Sequence, residues 1–515
     1  MRFNKWITFT LFIAIVLVFS YFRLTIIGAR NVGYTYDQGR DFIAGARIIT
    51  DKNPVFIGPT TGIGGVFHGA WWYYFTALSF LILGPNPINF YISLFLLHLI
   101  SLFVWFWGIR KNYDDLTALW SSLIIASGSY YVSNHVFAGN NILTIPSFTF
   151  MILTFISLLK NKLSDKSRLS LIFLLGIFAG FTAETELSFG IFLIPSLITM
   201  YLTIPFFRKL FKNIKSYASF FAGILIPFLP RLLFELKNGF IQTKVLLGFF
   251  TKPKLYNPRP YSDVIGERIS IFKAYIEQAL GSPWLVIFFA FTLVLGIIIY
   301  IKLRKSNKSI IFAKYNEIIK PTFALGVLLA LLFLYCLVYR DPFWMNYYEG
   351  IQLGFLVIFL SITYSIYTVS KKYYLVATSA VVLLVLIITF SKGVEIYSWK
   401  STMSGLKLPE TIINYIVESQ KSKNEKTFCA RVFTPPVIPH TYDYLWLTHY
   451  LAKDIDTPRY DFINNECWYI LEPEWKGFEF RQVEWKKKNI PENTEEITGT
   501  RKIFNGIEVY KLKQK

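Results

Sequence analysis

A short segment near the start of the chain carries the side chains best suited to chemistry. It spans residues 34–47 and reads YTYDQGRDFIAGAR. Asp37 and Asp41 are one helical turn apart and Arg40 and Arg47 two, so one side of a helix would show two carboxylates beside two guanidinium groups. Such a face suits a phosphorylated lipid, because the guanidinium groups hold a phosphate while a carboxylate takes a proton from an incoming hydroxyl. The alternative is a set of ion pairs on a solvated amphipathic helix.

The rest of the chain has the composition of a membrane protein. Of its 515 residues, 54% are hydrophobic and 17% are charged, and the mean hydropathy is +0.43. The apolar residues lie in long runs rather than alternating with polar ones, which is typical of helices that span a bilayer. This composition excludes a soluble enzyme and a nucleic-acid-binding protein.

Eleven spans follow when lysine and arginine are required to lie in alternate loops, because cytoplasmic loops carry the basic excess. The predicted spans are 7–27, 88–109, 117–133, 142–159, 169–186, 187–207, 216–234, 284–301, 321–339, 348–370 and 373–391. The segments assigned to the cytoplasm hold 20 basic and four acidic residues, which accounts for most of the net charge of +21. The predicted transmembrane domain, 1–391, then has a cytoplasmic N-terminus and an extracytoplasmic C-terminal end.

Two outer loops are long in this arrangement. The first, 28–87, contains the apolar segment 70–83, which is too short to cross the bilayer and predicts a juxtamembrane helix on the outer surface. The second, 235–283, has three prolines between 253 and 260. It is either a lid or acceptor-binding surface, or a structured loop that caps the helical bundle.

The tail, 392–515, is less apolar and predicts a small extracytoplasmic α/β domain. Pro409 indicates the start of a helix whose apolar residues have helical spacing. The segments 427–433 and 467–471 are typical of buried strands, and Asn-Gly at 505–506 indicates a hairpin turn.

Cysteines are few and do not form a metal-binding pattern. Cys336 lies inside a predicted span, whereas Cys429 and Cys467 lie on the two predicted strands of the tail. In an extracytoplasmic compartment these two are either disulfide-bonded or two buried free thiols. No spacing typical of a structural zinc site is present in the sequence.

The order of these features resembles that of a known family. YDQGRD opens the first outer loop and precedes GPTTGIGGVFHGAWWYYFTALSFLILG, and the likeness extends through LPRLLFELKNGF (229–240) and WMNYYEGIQLGFLVIFL (344–360). In these segments the chain resembles the polytopic glycosyltransferases of the GT-C superfamily, in particular the bacterial protein O-mannosyltransferase and aminoarabinose-transferase group. The resemblance implies juxtamembrane helices in the first outer loop and an acidic motif there, commonly Asp-Glu, whose aspartate is the catalytic carboxylate.

The match to that motif is incomplete. Asp37 corresponds to the family aspartate, but Gln38 stands where the family usually has glutamate. The second acidic role is then either absent or taken by Asp41. Because of this departure, the sequence leaves metal binding open. A divalent cation is the one possible cofactor. His68 stands where relatives often have a charged residue before Pro-Pro, and it either contacts the substrate in that residue's place or is a buried interface residue.

Other candidates follow from charges at the outer ends of spans, which are costly in lipid and therefore either functional or snorkelling to the interface. The candidates for binding the donor phosphate are Arg40, Arg47, Arg231 and Arg340. Those for binding substrate, besides His68, are Tyr36, Asn346 and Tyr347. Glu184 and Glu186 are either acids facing a cavity or part of a short external turn, and we favour the turn.

These observations predict a multi-pass glycosyltransferase of the plasma membrane. It would take a hexose or pentose from a polyprenyl-phosphate donor and pass it, with inversion, to a hydroxyl on a protein, lipid or glycan at the outer face. A nucleotide-sugar donor is disfavoured, because the predicted site faces away from the cytosol. The alternatives are a flippase or transporter of lipid-linked saccharides, whose charges would lie deep in the spans, and a non-catalytic envelope scaffold whose tail binds partners. No nucleic-acid partner is expected.

Overall fold

The protein is described by a computed structural model over residues 3–160, 163–251, 259–305, 309–399, 402–435 and 438–515. Up to residue 399 its regular structure is helical. The helices are α1 (Lys5–Gly28), α2 (Tyr36–Thr50), α3 (Trp71–Leu83), α4 (Pro87–Asn112), α5 (Asp115–Ser127), α6 (Ser129–Asn134), α7 (Thr144–Lys160), α8 (Asp165–Thr185), α9 (Leu187–Thr203), α10 (Pro205–Arg208), α11 (Ile214–Lys237), α12 (Ile241–Thr251), α13 (Tyr261–Leu280), α14 (Pro283–Lys305), α15 (Ser309–Cys336), α16 (Ile351–Tyr367) and α17 (Lys371–Trp399). Single 3-10 turns lie at Asn140–Leu143, Lys209–Phe211 and Met345–Tyr348.

All eleven predicted spans coincide with helices, although not all of these are long enough to cross a bilayer alone. Among the described residues, seven helices have the required length and apolarity: α1, α4, α7, α8, α11, α15 and α17. Two more candidate spans are pairs of helices bent by 97° and 98°, which contain α9 and α14. The remaining two predictions correspond to α5 and α16, with 13 and 17 residues. The chain is therefore a multi-pass, almost entirely helical membrane protein, as predicted.

Two short helices, α2 and α3, lie in the first outer loop. The predicted helix at 70–83 is α3, and it packs closely on α2, since a Cβ added to Gly45 would lie 2.5 Å from Thr76. At the start of α2 a capping box forms, in which Thr35 N donates to Gln38 Oε1 at 2.8 Å. This cap orients the helix that carries the predicted acidic motif.

The tail forms the predicted small α/β unit. Its elements are α18 (Lys407–Ser422), β1 (Ala430–Phe433), α19 (His440–Leu451), β2 (Glu466–Leu471), α20 (Glu479–Asn489), β3 (Thr494–Glu496), β4 (Lys502–Phe504) and β5 (Ile507–Gln514). The sheet has the order β1-β2-β5-β3, with β4 also paired to β5; β1 and β2 are parallel and the other pairs antiparallel. The predicted helix, both predicted strands and the 505–506 turn are all present.

A disulfide joins Cys429 and Cys467, which resolves the alternative left open by the sequence. The bond lies beside the parallel pair β1–β2, on the face of the sheet covered by α20 and Trp485. Cys336 is buried and free.

The tail packs directly against the first outer loop. The start of α19 lies on α2 so closely that a Cβ added to Gly39 would stand 2.1 Å from the carbonyl oxygen of His440. The Tyr34 hydroxyl donates to the carbonyl oxygen of Thr441 at 3.1 Å. Only glycine permits this approach, so the sequence of α2 is adapted to the tail.

The second outer loop is helical on both sides of its prolines. It contains the end of α11, then α12 and α13, and Pro260 is the residue before α13. Pro253 and Pro258 lie outside the described residues. Its predicted role as a lid or acceptor surface stays a prediction.

Candidate functional site

One arginine joins the two aspartates at the start of α2. An Arg40 Nη donates to Asp37 Oδ1 at 2.9 Å, and Arg40 Nε donates to Asp41 Oδ1 at 2.8 Å. The predicted helical spacing therefore produces the expected cluster, which we call the α2 charge cluster: Asp37, Arg40 and Asp41. Both carboxylates raise the pKa of the Arg40 guanidinium against the opposing effect of its partial burial.

The two aspartates of the cluster differ in accessibility. The Asp37 side chain is 51% exposed and that of Asp41 is 5% exposed. Asp41 is held from its other side by Trp72, whose indole N–H donates to Asp41 Oδ2 at 2.8 Å. Burial raises the pKa of Asp41, although Arg40 and the Trp72 hydrogen bond act in the opposite direction. Asp37 is thus the carboxylate available to a substrate.

Gln38, which departs from the family motif, has a structural role here. It is buried, and its Oε1 closes the capping box with Thr35 while its amide N–H donates to the carbonyl of Ala138. A glutamate would keep the first interaction but would place a carboxylate against the carbonyl oxygen. The Asp-Gln pair therefore presents one acid to the site, and the second acid nearby is Asp41.

Tyr36 connects the α2 charge cluster to the tail. Its ring stacks on the imidazole of His440, with centroids 6.2 Å apart and planes 16° from parallel. The Arg40 guanidinium carbon lies 5.6 Å from the centre of the same ring. His440 also hydrogen-bonds Asp443 at 3.2 Å. This side chain of α19 therefore supports Tyr36, which is next to Asp37 in the sequence.

A second acid–arginine pair lies deeper, where α8 meets α11. Arg231 Nε donates to Glu184 Oε1 at 2.6 Å, and the two side chains are 12% and 0% exposed. The guanidinium also donates to the carbonyl oxygen of Phe67 at 3.0 Å and to Gln242 Oε1 at 3.2 Å. Arg231 thus ties the first outer loop to α8 and α12, and only its second Nη is without a hydrogen-bond partner among the described residues.

His68 lies between the two arginine sites as a neutral base. Burial, together with the positive charges of Arg231 and Arg40, lowers the pKa of His68 to about 3. Its Nδ1 accepts the backbone N–H of Leu187 at 3.3 Å, which leaves the proton on Nε2. Because both guanidinium groups act on one imidazole, Arg40, His68 and Arg231 belong to one region of the protein.

Two buried glutamates line the neighbouring turns. Glu186, in the predicted turn between α8 and α9, accepts hydrogen bonds from Ser188 N at 3.1 Å and Asn140 at 3.4 Å. Burial raises its pKa to about 8, and the nearby charge of Glu349 adds to the shift. Burial also raises the pKa of Glu349 to about 8. Of the two acids assigned to this turn from sequence, Glu186 lies in it, whereas Glu184 lies in the last turn of α8, and both are buried rather than external.

The remaining predicted residues are dispersed. Arg47 is exposed near the end of α2, ten residues and about 15 Å along the helix from Asp37. Arg340 donates through Nε to the carbonyl oxygen of Arg259 at 3.0 Å and stacks 4.4 Å from the Tyr261 ring centre. In the 3-10 turn at Met345–Tyr348, Asn346 is exposed and Tyr347 half-buried, with its ring 5.1 Å from that of Phe343.

The arrangement of acids does not fit a divalent cation. Arg40 already occupies the position between Asp37 and Asp41, and it forms an ion pair with each carboxylate. In the part of the chain that the structure describes, no three His, Cys, Asp or Glu side chains stand close enough together to hold a metal ion.

Sequence reasoning missed three side chains of this region. Trp72 was considered only as part of the apolar segment 70–83, yet it holds Asp41. Tyr73, at the next position of α3, lies beside Arg40 and Asp41, and burial raises its pKa. His440 lies about 400 residues from its partner Tyr36, and no local pattern announces such a contact.

Comparison with solved structures places this architecture among known folds. ArnT from Cupriavidus metallidurans, solved with bound undecaprenyl phosphate, is similar with a TM-score of 0.59 at 10% identity, over 98% of this chain and 97% of that one. The apo form of that protein gives a TM-score of 0.56 at 11% identity over the same fractions. The apo oligosaccharyltransferase of Archaeoglobus fulgidus gives 0.50 at 9% identity, over 86% of this chain and 64% of that one.

Sequence comparisons add nothing to this likeness. No family model matches the chain, and no curated protein matches it significantly. The resemblance predicted from YDQGRD and the aromatic segment after it is confirmed at the level of the fold. The chain has the fold of ArnT and of the archaeal oligosaccharyltransferase.

Proposed function

We propose that the protein is a glycosyltransferase that transfers a sugar from a polyprenyl-phosphate donor to a hydroxyl acceptor at the outer face of the membrane. The observation that carries this proposal is the α2 charge cluster, in which a half-exposed carboxylate stands beside a guanidinium. The fold supports it, since ArnT with the same fold has been solved with undecaprenyl phosphate.

In the proposed reaction Asp37 acts as the general base. Its free carboxylate oxygen takes the proton of the acceptor hydroxyl while the hydroxyl oxygen attacks the anomeric carbon. The bond from that carbon to the phosphate oxygen breaks, and the polyprenyl phosphate leaves with the electron pair. A single displacement of this kind inverts the anomeric centre.

Arg40 would stabilise the leaving phosphate. It uses two of its three nitrogens on the aspartates, so its other nitrogen is available to a lipid phosphate. Donor binding by Arg47, about 15 Å along the helix from Asp37, stays a prediction. Donor binding by Arg340 and by Arg231 stays a prediction, as does substrate contact by Tyr36, His68, Asn346 and Tyr347. In this role His68 would act as a neutral hydrogen-bond donor rather than as a cation.

Lipid extracts provide the test. Cells that lack the protein should accumulate a polyprenyl-phosphate sugar, and cells that carry Asp37→Asn at the wild-type protein level should accumulate the same lipid. Purified wild-type protein should consume that lipid and transfer its sugar to membranes from the deficient cells. Accumulation without transfer by the purified protein would favour a flippase instead, and no accumulation would contradict the proposal.

A further inference from the structure

A cleft of about 720 Å³ lies between the tail and the membrane part, separate from the α2 charge cluster. One wall is formed by Arg30 and the connection between α3 and α4, and the other by α18 and α19. The walls are joined by an ion pair between Arg30 and Glu410 and by the backbone N–H of Lys407, which donates to the carbonyl oxygen of Arg30 at 3.0 Å. The cleft is therefore a fixed feature of the contact between the two parts.

Three polar side chains of α18 line this cleft, and each has a polar group without a hydrogen-bond partner among the described residues. Lys407, Glu410 and Asn414 line it at positions i, i+3 and i+7 of the helix, which places them on one face. Glu410 Oε2 has no hydrogen-bond partner, and the Lys407 and Asn414 side chains have none among the described residues. A donor, an acceptor and an amide that can serve as both are thus available to a ligand.

The charges of the cleft favour a neutral ligand. Arg30 and Lys407 supply two positive charges, and Glu410 and Asp454 supply two negative ones. An anion would be repelled by the carboxylates and a cation by the guanidinium and ammonium groups. Apolar side chains, among them Ile413 and Leu445, lie between the polar ones, which is the pattern expected for a ligand with apolar faces and a rim of hydroxyls.

We propose that this cleft binds a saccharide. Its position relative to the α2 charge cluster is set by α19, which contacts α2 through His440 and lines the cleft through His449, nine residues and about 13 Å further along. The cleft would then hold sugar units of an acceptor that are remote from the reacting hydroxyl. The assignment of this saccharide to the acceptor rests on the proposed function. The binding of a saccharide in the cleft does not depend on that function.

Binding is tested without turnover. The probe is the mixture of soluble oligosaccharides released by mild acid from the envelope of cells that make the protein, measured against full-length Asp37→Asn protein in detergent by saturation-transfer NMR. Adding Lys407→Met and Asn414→Leu should weaken sugar binding roughly tenfold, because two hydrogen bonds are lost. Lys426→Met, which removes an exposed lysine outside the cleft, should leave binding as it is. Absence of sugar signals, or equal signals in the double variant, would overturn the proposal.

A kinetic measurement separates this inference from the proposed function. With the donor lipid at saturation, Lys407→Met with Asn414→Leu should raise the KM for the acceptor about tenfold while leaving the KM for the donor unchanged. If the wild-type protein transfers sugar but the acceptor KM is unchanged in the double variant, the acceptor role of the cleft fails and the transferase stands. If sugar binding depends on these residues but no transfer occurs, the proposed function fails and the cleft stands.

Discussion

Two acid–arginine sites in this protein use the same chemical groups for different ends. In the α2 charge cluster, Arg40 pairs with Asp37 and Asp41 beside a carboxylate that is 51% exposed. In the other site, Arg231 pairs with Glu184, which is fully buried. Both pairs have short contacts, so distance does not distinguish them. Accessibility does: the exposed carboxylate of the first site fits the proposed chemistry, whereas the enclosed pair of the second site is suited to stabilise the fold.

The surroundings of the two sites explain this difference. Arg231 bonds a backbone carbonyl and Gln242 in addition to Glu184, and so it fastens the first outer loop to two helices. The α2 charge cluster is fixed on one side only, by Trp72 behind Asp41 and by the stack of Tyr36 on His440. A site that must admit a substrate leaves one carboxylate uncovered, and Asp37 is that carboxylate.

The largest expected effect is on stability and concerns the buried pair. Arg231→Met leaves Glu184 buried without its counter-charge, so the free energy of unfolding should fall by about 3–5 kcal/mol. Thermal unfolding of the purified protein in detergent measures this. Arg47→Met, at an exposed position, should change stability by less than about 0.5 kcal/mol. Adding Glu184→Gln to Arg231→Met should recover much of the lost stability, because it removes the unpaired charge. If it does not, the loss of the ion pair is not the cause of the destabilisation.

Restoring the family's Asp-Glu motif should cost stability rather than improve activity. Gln38→Glu removes the donor to the Ala138 carbonyl and places a carboxylate against it, for a loss of about 1–3 kcal/mol. Sugar transfer should not increase. A stable Gln38→Glu protein with faster transfer would show that a second acid belongs at this position.

Stability should fall as the pH rises from about 7 to 8.5. The pKa of Glu186 and that of Glu349 are about 8 in the folded protein, above the ordinary value of 4.5, so the folded state binds more protons than the unfolded state in this window. Each group contributes its full stabilisation below pH 4.5 and loses it as the pH rises through 8. The loss is about 1 kcal/mol per group between pH 7 and 8.5. His68 is neutral in the folded protein and only partly protonated in the unfolded state at pH 7, so its contribution there is small and of opposite sign. Glu186→Gln should reduce the pH dependence of thermal unfolding, and an unchanged profile would contradict the assignment.

The smallest effect tests how far the α2 charge cluster depends on the tail. His440→Ala removes the ring that stacks on Tyr36, and transfer should fall about two- to fivefold, the equivalent of about 0.5–1 kcal/mol. His440→Phe keeps the stack and should restore most of the activity. Equal losses in both variants would show that the imidazole acts through something other than stacking.

Much of the fold could be predicted from sequence because it depends on local patterns. Apolar runs, basic loops and the Asn-Gly turn predicted helices and a hairpin that are present, and the Asp37 to Arg40 spacing predicted the cluster. The predicted span 117–133 is interrupted at Gly128, between α5 and α6, and α16 covers only Ile351–Tyr367 of the predicted span 348–370. Hydropathy does not register such breaks.

Burial and long-range contacts could not be predicted. Arg231 and Glu184 were both noted, but nothing in the sequence shows that they pair across 47 positions. From the sequence, Gln38 only replaced the glutamate of the family motif. In the structure it caps α2 and hydrogen-bonds the Ala138 carbonyl oxygen. The stack of His440 on Tyr36 depends on how the tail packs against α2, which no local spacing encodes.

The most direct test of the account compares the two aspartates of the α2 charge cluster. Turnover of purified Asp37→Asn, measured with the donor lipid and acceptor membranes from cells that lack the protein, should fall by about 10²-fold or more, because the base is lost. Its thermal stability and donor binding should stay near wild type, since Asp37 is half exposed. Asp41→Asn should instead lower stability, because it weakens the bonds from Arg40 and Trp72. If Asp41→Asn abolishes transfer in a stable protein while Asp37→Asn remains active, the base has been placed one helical turn from its true position.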